Sequence, residues 1–182
     1  MNKPPTTTLG YALLGLLHQR EQTGYALRKF FADSPMGNYS SSPGAIYPAL
    51  RRLEEQGLII GSVRSDGPLK RSRTYRPTKA GLEALRTWLG QDMTRRDIEV
   101  RMDELMLRFA FLGDFGDVPA TRVFLASLLD QIETYLVELK QILVEVTQKA
   151  GRHGRLALEG GIESYEAHAR WARRALSEFE EE

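Results

Sequence analysis

The stretch SSPGAIYPALRRLEEQGLI, Ser41–Ile59, combines a helical pattern with residues that disfavour helix interiors. Its second half has the apolar spacing of a helix, whereas Pro43, Gly44 and Pro48 stand at its front. Proline lacks a backbone N–H, so a helix tolerates it best in the first turn. Two interpretations remain open. Either Ser42 caps the helix and Pro43 is its first residue, or the regular helix begins at Pro48 after an irregular turn.

The patterns around this stretch predict the order helix, helix, helix, β-hairpin, helix. Apolar residues recur at helical spacing in 6–17 and again in 24–33, where Thr23 precedes as a cap. After the opening stretch, β-rich segments at 58–64 and 73–76 flank a turn, and a further leucine-spaced helix follows Thr78. This order is typical of a winged helix-turn-helix.

The second half of the chain shows a different and longer repeat. Apolar steps of four and three predict a helix over 98–112, and the same alternation runs through 125–146 and 158–179. A glycine-containing turn separates the two long runs, which predicts an antiparallel helical hairpin with coiled-coil spacing. We therefore expect a mainly α fold, with a winged helix-turn-helix at 1–92 and an all-helical domain at 93–182.

This hairpin carries more apolar residues than its own seam requires. Leu128, Tyr135, Ile142, Trp171 and Ala175 lie beside the predicted seam. A second copy of the chain is the expected partner, since two-fold dimers are the commonest assembly. The alternative is that the hairpin packs back on its own N-terminal domain. We expect the dimerisation domain to use Leu125, Leu129, Ile132, Leu136, Leu139, Leu143, Ile162, Tyr165, Trp171 and Leu176.

The net charge of +1 conceals two halves of opposite sign. Up to residue 96 there are 15 Lys and Arg against 7 Asp and Glu, a net +8, and from residue 97 there are 10 against 17, a net −7. A basic half favours nucleic acid as its partner. The chain has no cysteine and no apolar run of the ~18 residues that a membrane span needs. We expect a cytoplasmic protein that does not enter a membrane.

The sequence argues against catalysis. His18, His153 and His168 have no second ligand at metal spacing, and no phosphate-binding loop or nucleophile motif is present. We therefore expect no enzyme activity, no metal and no cofactor.

In a winged helix-turn-helix the third helix enters the DNA major groove and the wing contacts phosphates. With Ile46, Leu50 and Leu53 facing inward, the other side of the helix is small and uncharged at its front, so that it can approach base edges closely. Serines before a helix also serve as caps, and a tyrosine also serves as a packing residue; both alternatives remain open. The expected contacts with double-stranded DNA are Tyr39, Ser40, Ser41, Ser42, Gly44, Ala45, Tyr47, Arg51, Lys70, Arg71 and Arg73.

Four segments together resemble the PadR family of transcriptional regulators: TTLGYALLGLL, TGYAL, SPGAIYPALRRLEEQGLI and SRTYRPTKAGLEAL. The resemblance covers about the first 90 residues, and the tail is similar to the subfamily with a virulence-activator-like C-terminal domain. It implies a dimeric bacterial DNA-binding protein, usually a repressor, that recognises inverted-repeat operators. It also implies a DNA contact from Tyr25. Ala45 departs from the family pattern, in which a hydroxyl or β-branched residue is expected.

Several members of that family respond to phenolic or other small aromatic effectors, which the resemblance therefore implies as a partner here. The aromatic residues expected near the domain junction are Trp88, Phe109, Phe115 and Trp171, although such residues more often form the core. Two other functions remain open, a helical protein-interaction module and an RNA-binding module. RNA binding would favour stacking aromatics on a basic face, where Tyr39, Tyr47 and Tyr75 form no evident ladder.

Overall fold

The structure, a computed structural model, describes residues 6–34, 43–65, 71–115, 118–147 and 151–180. The chain divides into two compact units, Met1–Gln91 and Asp92–Glu182. Each unit buries its own set of apolar side chains.

The first unit has the predicted winged helix-turn-helix order, with one additional strand. Its elements are α1 Thr8–Gln19, β1 Gln22–Thr23, α2 Gly24–Asp33, α3 Ile46–Glu55, β2 Ile59–Ser65, β3 Arg71–Pro77 and α4 Lys79–Leu89. The three strands form an antiparallel sheet in the order β1-β3-β2. The mainly helical class and the predicted β-hairpin are confirmed.

The additional strand, β1, occupies a segment for which the sequence indicated a break. Gln22 pairs with Tyr75 and Thr23 with Thr74, so the sheet gains a third strand beside β3. The amide Nε2 of buried Gln22 donates to the Leu16 carbonyl at 3.1 Å. A strand of two residues is too short to show the alternation by which strands are recognised.

Threonine side chains start three helices of this unit. The hydroxyl oxygens of Thr7, Thr23 and Thr78 accept backbone N–H groups of the first turns of α1, α2 and α4. Each threonine satisfies one N–H that has no partner within its helix. The predicted caps at Thr23 and Thr78 are confirmed.

The front of α3 differs from both interpretations of the sequence. A short 3-10 turn, Pro43–Ala45, leads into the α-helix at Ile46, and Ala45 precedes it with no side-chain cap. Pro48 is thus the third residue of α3, where an N–H has no acceptor within the helix, so the proline removes no helical bond. The expected helix start at Pro48 is wrong by two residues, and Ser42 lies outside the described residues. Gly57, with φ of 70°, follows α3 as the predicted terminating glycine.

The second unit consists of α5 Arg95–Val100, α6 Met102–Leu112, α7 Val118–Thr147 and α8 Arg152–Glu180. The helix expected over 98–112 is divided, because Arg101 leaves helical geometry at φ −136° and ψ 25°. A capping box between Thr94 and Asp97 starts α5.

The two long helices form the predicted antiparallel hairpin. Salt bridges join Glu133 to Arg173 at 2.5 Å and Lys140 to Glu166 at 2.7 Å. Nearer the chain end, the guanidinium of Arg122 donates to the carbonyl of Phe179. The residue numbers of the partners on α8 decrease as those on α7 increase, as expected for antiparallel helices.

The residues expected to hold a second copy belong largely to the interior of this single hairpin. Leu125, Ile132, Leu136, Leu139 and Ile162 are buried within the unit, and the remaining predicted positions are partly buried: Leu129, Leu143, Tyr165, Trp171 and Leu176. The leftover residues Leu128 and Ala175 are buried as well, with α5 and α6 packed against α7. Heptad spacing identified a seam, but the seam is filled by one chain.

Replacement of Gly81 by alanine is expected to destabilise the first unit. A Cβ there would lie 2.0 Å from the carbonyl oxygen of Leu58, so the backbone has to move. The expected loss in the free energy of unfolding is about 1–3 kcal/mol, measured by urea denaturation. Gly160→Ala is the matched control: a Cβ there meets nothing within 4 Å, and the helix should gain about 0.5–1 kcal/mol. Equal stability of both variants would contradict the close approach at Leu58.

Candidate nucleic-acid interface

Helix α3 presents two chemically different sides. Its inward side is formed by buried apolar residues: Ile46, Ala49, Leu50 and Leu53. Its exposed side begins with small or uncharged residues and becomes basic further along: Gly44, Tyr47, Pro48, Arg51 and Arg52. Ala45 is half-buried between the two sides. Among the described residues, the front of α3 is therefore exposed, and its own exposed side chains are uncharged up to Arg51.

Tyr47 is both a packing residue and an accessible one. Its ring lies over Gly24, the first residue of α2, where a Cβ would come within 2.7 Å of the Tyr47 Cε1 atom. The side chain is still 49% exposed. One side of the Tyr47 ring thus packs on Gly24, and about half of the side chain remains exposed. The role of Gly24 was not predicted from the sequence. The signal that could have indicated it is a glycine at the start of a helix, since glycine is a weaker helix former than most residues.

Tyr25, the next residue of α2, is 62% exposed. The guanidinium carbon of Arg28 lies 5.7 Å from its ring centre. This arrangement keeps a cation beside an accessible aromatic hydroxyl. The geometry is compatible with the DNA contact that the family resemblance implies for Tyr25.

Two arginines, Arg51 and Arg52, lie on the exposed side of α3. Arg51, and not Arg52, bridges to Glu55 at 3.2 Å, and both partners are largely exposed. Such a surface pair contributes at most ~1 kcal/mol, so Arg51 can exchange the carboxylate for a phosphate at little cost. Glu54 bridges to Arg73 on β3 at 2.6 Å.

Arg73, predicted to contact phosphate, is held within the winged domain. Its Nη2 donates to Glu54 Oε1, and its guanidinium carbon lies 5.5 Å from the Tyr75 ring centre. The same Glu54 oxygen accepts the Gly61 N–H at 3.1 Å. Glu54 was absent from the predicted site because its partners stand on two other elements.

The remaining predicted DNA contacts are not defined by the structure. Tyr39, Ser40, Ser41, Ser42 and Lys70 lie outside the described residues. Arg71 begins β3 and pairs in register with Ser65, but its side chain is also outside the described part.

The residues expected for an effector belong to both units, and their surroundings within each unit differ. Trp88 belongs to the core of the first unit, where it is 1% exposed and stacks on Tyr11 at 4.6 Å. In the second unit, Phe109 meets Trp171 edge-on, with centroids 5.1 Å apart. Phe115 ends a 3-10 turn after α6. An open groove of about 330 Å³ lies beside Trp171, lined by Met106, Ala167, His168 and Trp171.

Tyr165 joins α8 to α5 within the second unit. Its hydroxyl donates to the Ile98 carbonyl at 3.3 Å, and its ring meets Tyr135 edge-on at 4.9 Å. The guanidinium carbon of Arg95 lies over Tyr135, 4.3 Å from its ring centre. Burial raises the pKa of Tyr165, and the neighbouring Tyr135 and Glu99 act in the same direction. Tyr165 is therefore engaged inside one chain, and its expected role between copies stays a prediction.

Two other kinds of site were sought among the described residues. In that part of the chain no group of three or more His, Asp or Glu residues is arranged to hold a metal ion. Over the same residues, no helix combines the length and apolar character needed to cross a membrane.

Comparison with known proteins gives two family matches that together cover most of the chain. Residues 13–87 match the model described as transcriptional regulator PadR-like family. Residues 102–180 match the model described as virulence activator alpha C-term. The boundary between the matches lies near the division between the two units.

Individual relatives point to the same group. The negative transcriptional regulator PadR of Bacillus subtilis is 30% identical over 117 residues, 64% of this chain and 63% of the relative. The chain spans less than two thirds of the length of the curated relatives it matches. Structures of B. subtilis PadR in complex with operator DNA (23% identity, 95% of this chain and 99% of that one, TM-score 0.44) and with p-coumaric acid (23% identity, all of both chains, TM-score 0.41) are similar.

Proposed function

We propose that this chain, which belongs to the PadR-like family of transcriptional regulators, binds operator DNA as a homodimer and represses transcription. The family consists of transcriptional regulators, not of enzymes. The cytoplasm, where bacterial DNA lies, is the proposed site of action. Its operator is an inverted repeat, because a two-fold dimer presents two equivalent reading heads about 34 Å apart, one turn of DNA.

The observation that carries this proposal is the exposed side of α3. Exposed helix faces are ordinarily charged, yet this one opens with Gly44, Tyr47 and Pro48 and becomes basic at Arg51. Small residues permit close approach to base edges, and arginines beyond them suit phosphates. The net charge of +8 up to residue 96 attracts DNA to this unit. A helical interaction module requires neither feature.

A second stripe on α7, largely exposed and largely uncharged, supports the homodimer. It contains valines that are 58–70% exposed, and only one of its seven members is charged: Val123, Ser127, Asp130, Thr134, Val137, Gln141 and Val144. The steps between them alternate four and three, the spacing of a helix-packing seam. Valine is a weak helix former, so exposed valines at this spacing are better explained by burial against another helix. We assign this stripe to a second copy.

Tyr47→Ala is expected to weaken binding to DNA upstream of the protein's own gene by about tenfold or more, the ~1–3 kcal/mol of a specific base contact. Binding to unrelated DNA should change little, because phosphate contacts supply it. Titration and footprinting on both DNAs measure the difference. Tyr47→Phe separates the hydroxyl from the ring that packs on Gly24. Unchanged specific binding by Tyr47→Ala would exclude the front of α3 as the reading surface.

Val137→Glu is expected to convert the dimer to a monomer, because the stripe would then bury an unpaired charge. Analytical ultracentrifugation measures the mass. Ile142→Glu is the comparison: Ile142, one of the residues that the sequence assigned to a second copy, is 44% exposed on the same helix but stands outside the stripe. The present proposal leaves it outside the interface, so this variant should remain dimeric. Dimers from both variants, or monomers from both, would contradict the assignment to this stripe.

The proposal includes a small aromatic effector, bound in the groove beside Trp171. The indole ring is braced edge-on by Phe109, and the groove of about 330 Å³ also offers Met106 and His168. An aromatic ligand can stack against an indole supported in this way. Trp88 cannot serve in the same way, because it is enclosed in the core of the first unit.

Added p-coumaric acid is expected to quench tryptophan fluorescence saturably and to lower operator affinity. The quenching should disappear in Trp171→Phe, whose remaining indole, Trp88, is 1% exposed. Fluorescence titration and DNA binding in the presence of the acid provide the two measurements. Equal quenching in Trp171→Phe would remove the groove from the proposal.

A further inference from the structure

The carboxylate of Glu54 ties α3 to the wing at two points. Its Oε1 accepts the backbone N–H of Gly61 at 3.1 Å and the Nη2 of Arg73 at 2.6 Å. β2 is one of the two edge strands of the sheet, so an N–H on its open edge has no neighbouring strand as a partner. Glu54 supplies that partner from α3 and thereby connects the helix to both strands of the wing.

Gly61 allows Arg73 to cross β2 and reach Glu54. A Cβ at Gly61 would lie 2.4 Å from Arg73 Nε, inside the space that the guanidinium occupies. Tyr75 pairs opposite Gly61, and its ring lies 5.5 Å from the guanidinium carbon. Arg73 is thus bounded by a carboxylate, a glycine and an aromatic ring, and its position is defined on three sides.

We propose that Glu54, Gly61 and Arg73, here called the clasp, set the position of the wing relative to α3. Arg73 then serves DNA binding as a positioning residue and not as a phosphate contact. This inference rests on the proposed DNA-binding function. It assigns a role to Glu54, an anion that would otherwise only repel DNA.

Removal of the Glu54 carboxylate should change DNA affinity in opposite directions if Arg73 contacts phosphate or if it positions the wing. If Arg73 binds phosphate, Glu54 competes with the phosphate for the guanidinium, and removal of that carboxylate would strengthen binding. If the clasp positions the wing, loss of the same carboxylate misplaces the wing and weakens binding. A phosphate contact also contributes about 0.9 to the slope of log affinity against log salt. If Arg73 is itself that contact, only its own removal lowers the slope, whereas a misplaced wing changes the slope equally whichever member of the pair is removed.

The test compares operator affinities of Glu54→Ala, Arg73→Ala and the double variant over a range of salt. Each single variant should weaken binding by about threefold to tenfold, the range for one surface ion pair with a hydrogen bond. The double variant should be no weaker than the singles, and Glu54→Ala, Arg73→Ala and the double variant should share one slope. Glu54→Gln, which keeps an oxygen for the Gly61 N–H, should lose less than about threefold.

Glu55→Ala is the matched control for charge. It removes the same carboxylate one residue further along α3, from a pair with Arg51 that is outside the clasp. This variant should bind DNA as well as the unchanged protein or more tightly. Tighter binding by Glu54→Ala as well, together with a slope lowered by about 0.9 in Arg73→Ala, would overturn the clasp and make Arg73 a phosphate contact.

A measurement without DNA decides the clasp independently. Amide hydrogen exchange at Gly61 should accelerate at least about tenfold in Glu54→Ala and also in Arg73→Ala, but not in Glu55→Ala. Unchanged exchange at Gly61 in Glu54→Ala would overturn the clasp even if DNA binding were normal. Failure of the unchanged protein to bind any DNA would instead overturn the proposed function, and the exchange result would still stand.

Discussion

The backbone of Leu58 joins the end of α3, the start of β2 and the start of α4. Its N–H donates to the Leu53 carbonyl at 2.8 Å, and its carbonyl accepts the Thr78 N–H at 3.0 Å. Gly81 then comes so close to that carbonyl that no side chain fits between them. Because Gly57 turns the chain just before, the direction of α3 and the root of the hairpin are fixed together. The exposed chemistry of α3 and of the wing is built upon this junction.

Local patterns in the sequence predicted the parts of the fold that depend on local spacing. The inward side of α3 and both long helices follow from apolar steps, and the caps at Thr23 and Thr78 follow from residue type. β1 escaped prediction because two residues carry no period. The break at Arg101 escaped because the apolar steps continue through it without interruption. The geometry of a backbone turn is not encoded in the spacing of its side chains.

The candidate site was predictable only on α3, where the buried apolar side of the helix shows which residues must lie on the exposed side. Burial of Leu50 and Leu53 leaves the opposite side of α3 exposed, so its composition could be read directly. The pair of Glu54 and Arg73 spans 19 residues and depends on the register of the hairpin, which no single residue type indicates. The same limit applies to the hairpin of the second unit. Heptads show that a seam exists, but they do not show whether the same chain or another copy fills it.

The stacking of Tyr11 on Trp88 has a consequence for synthesis on the ribosome. It joins α1 to α4, the first and the last helix of the winged unit, and every residue from Leu9 to Leu17 is buried in the finished fold. A nascent chain that ends before Trp88 therefore presents an apolar helix without its final partner. The long helices of the second unit are neighbours in sequence and can close as soon as both have emerged. Until α4 has emerged, the winged unit is therefore incomplete, and its apolar first helix needs protection from aggregation while the chain is being made.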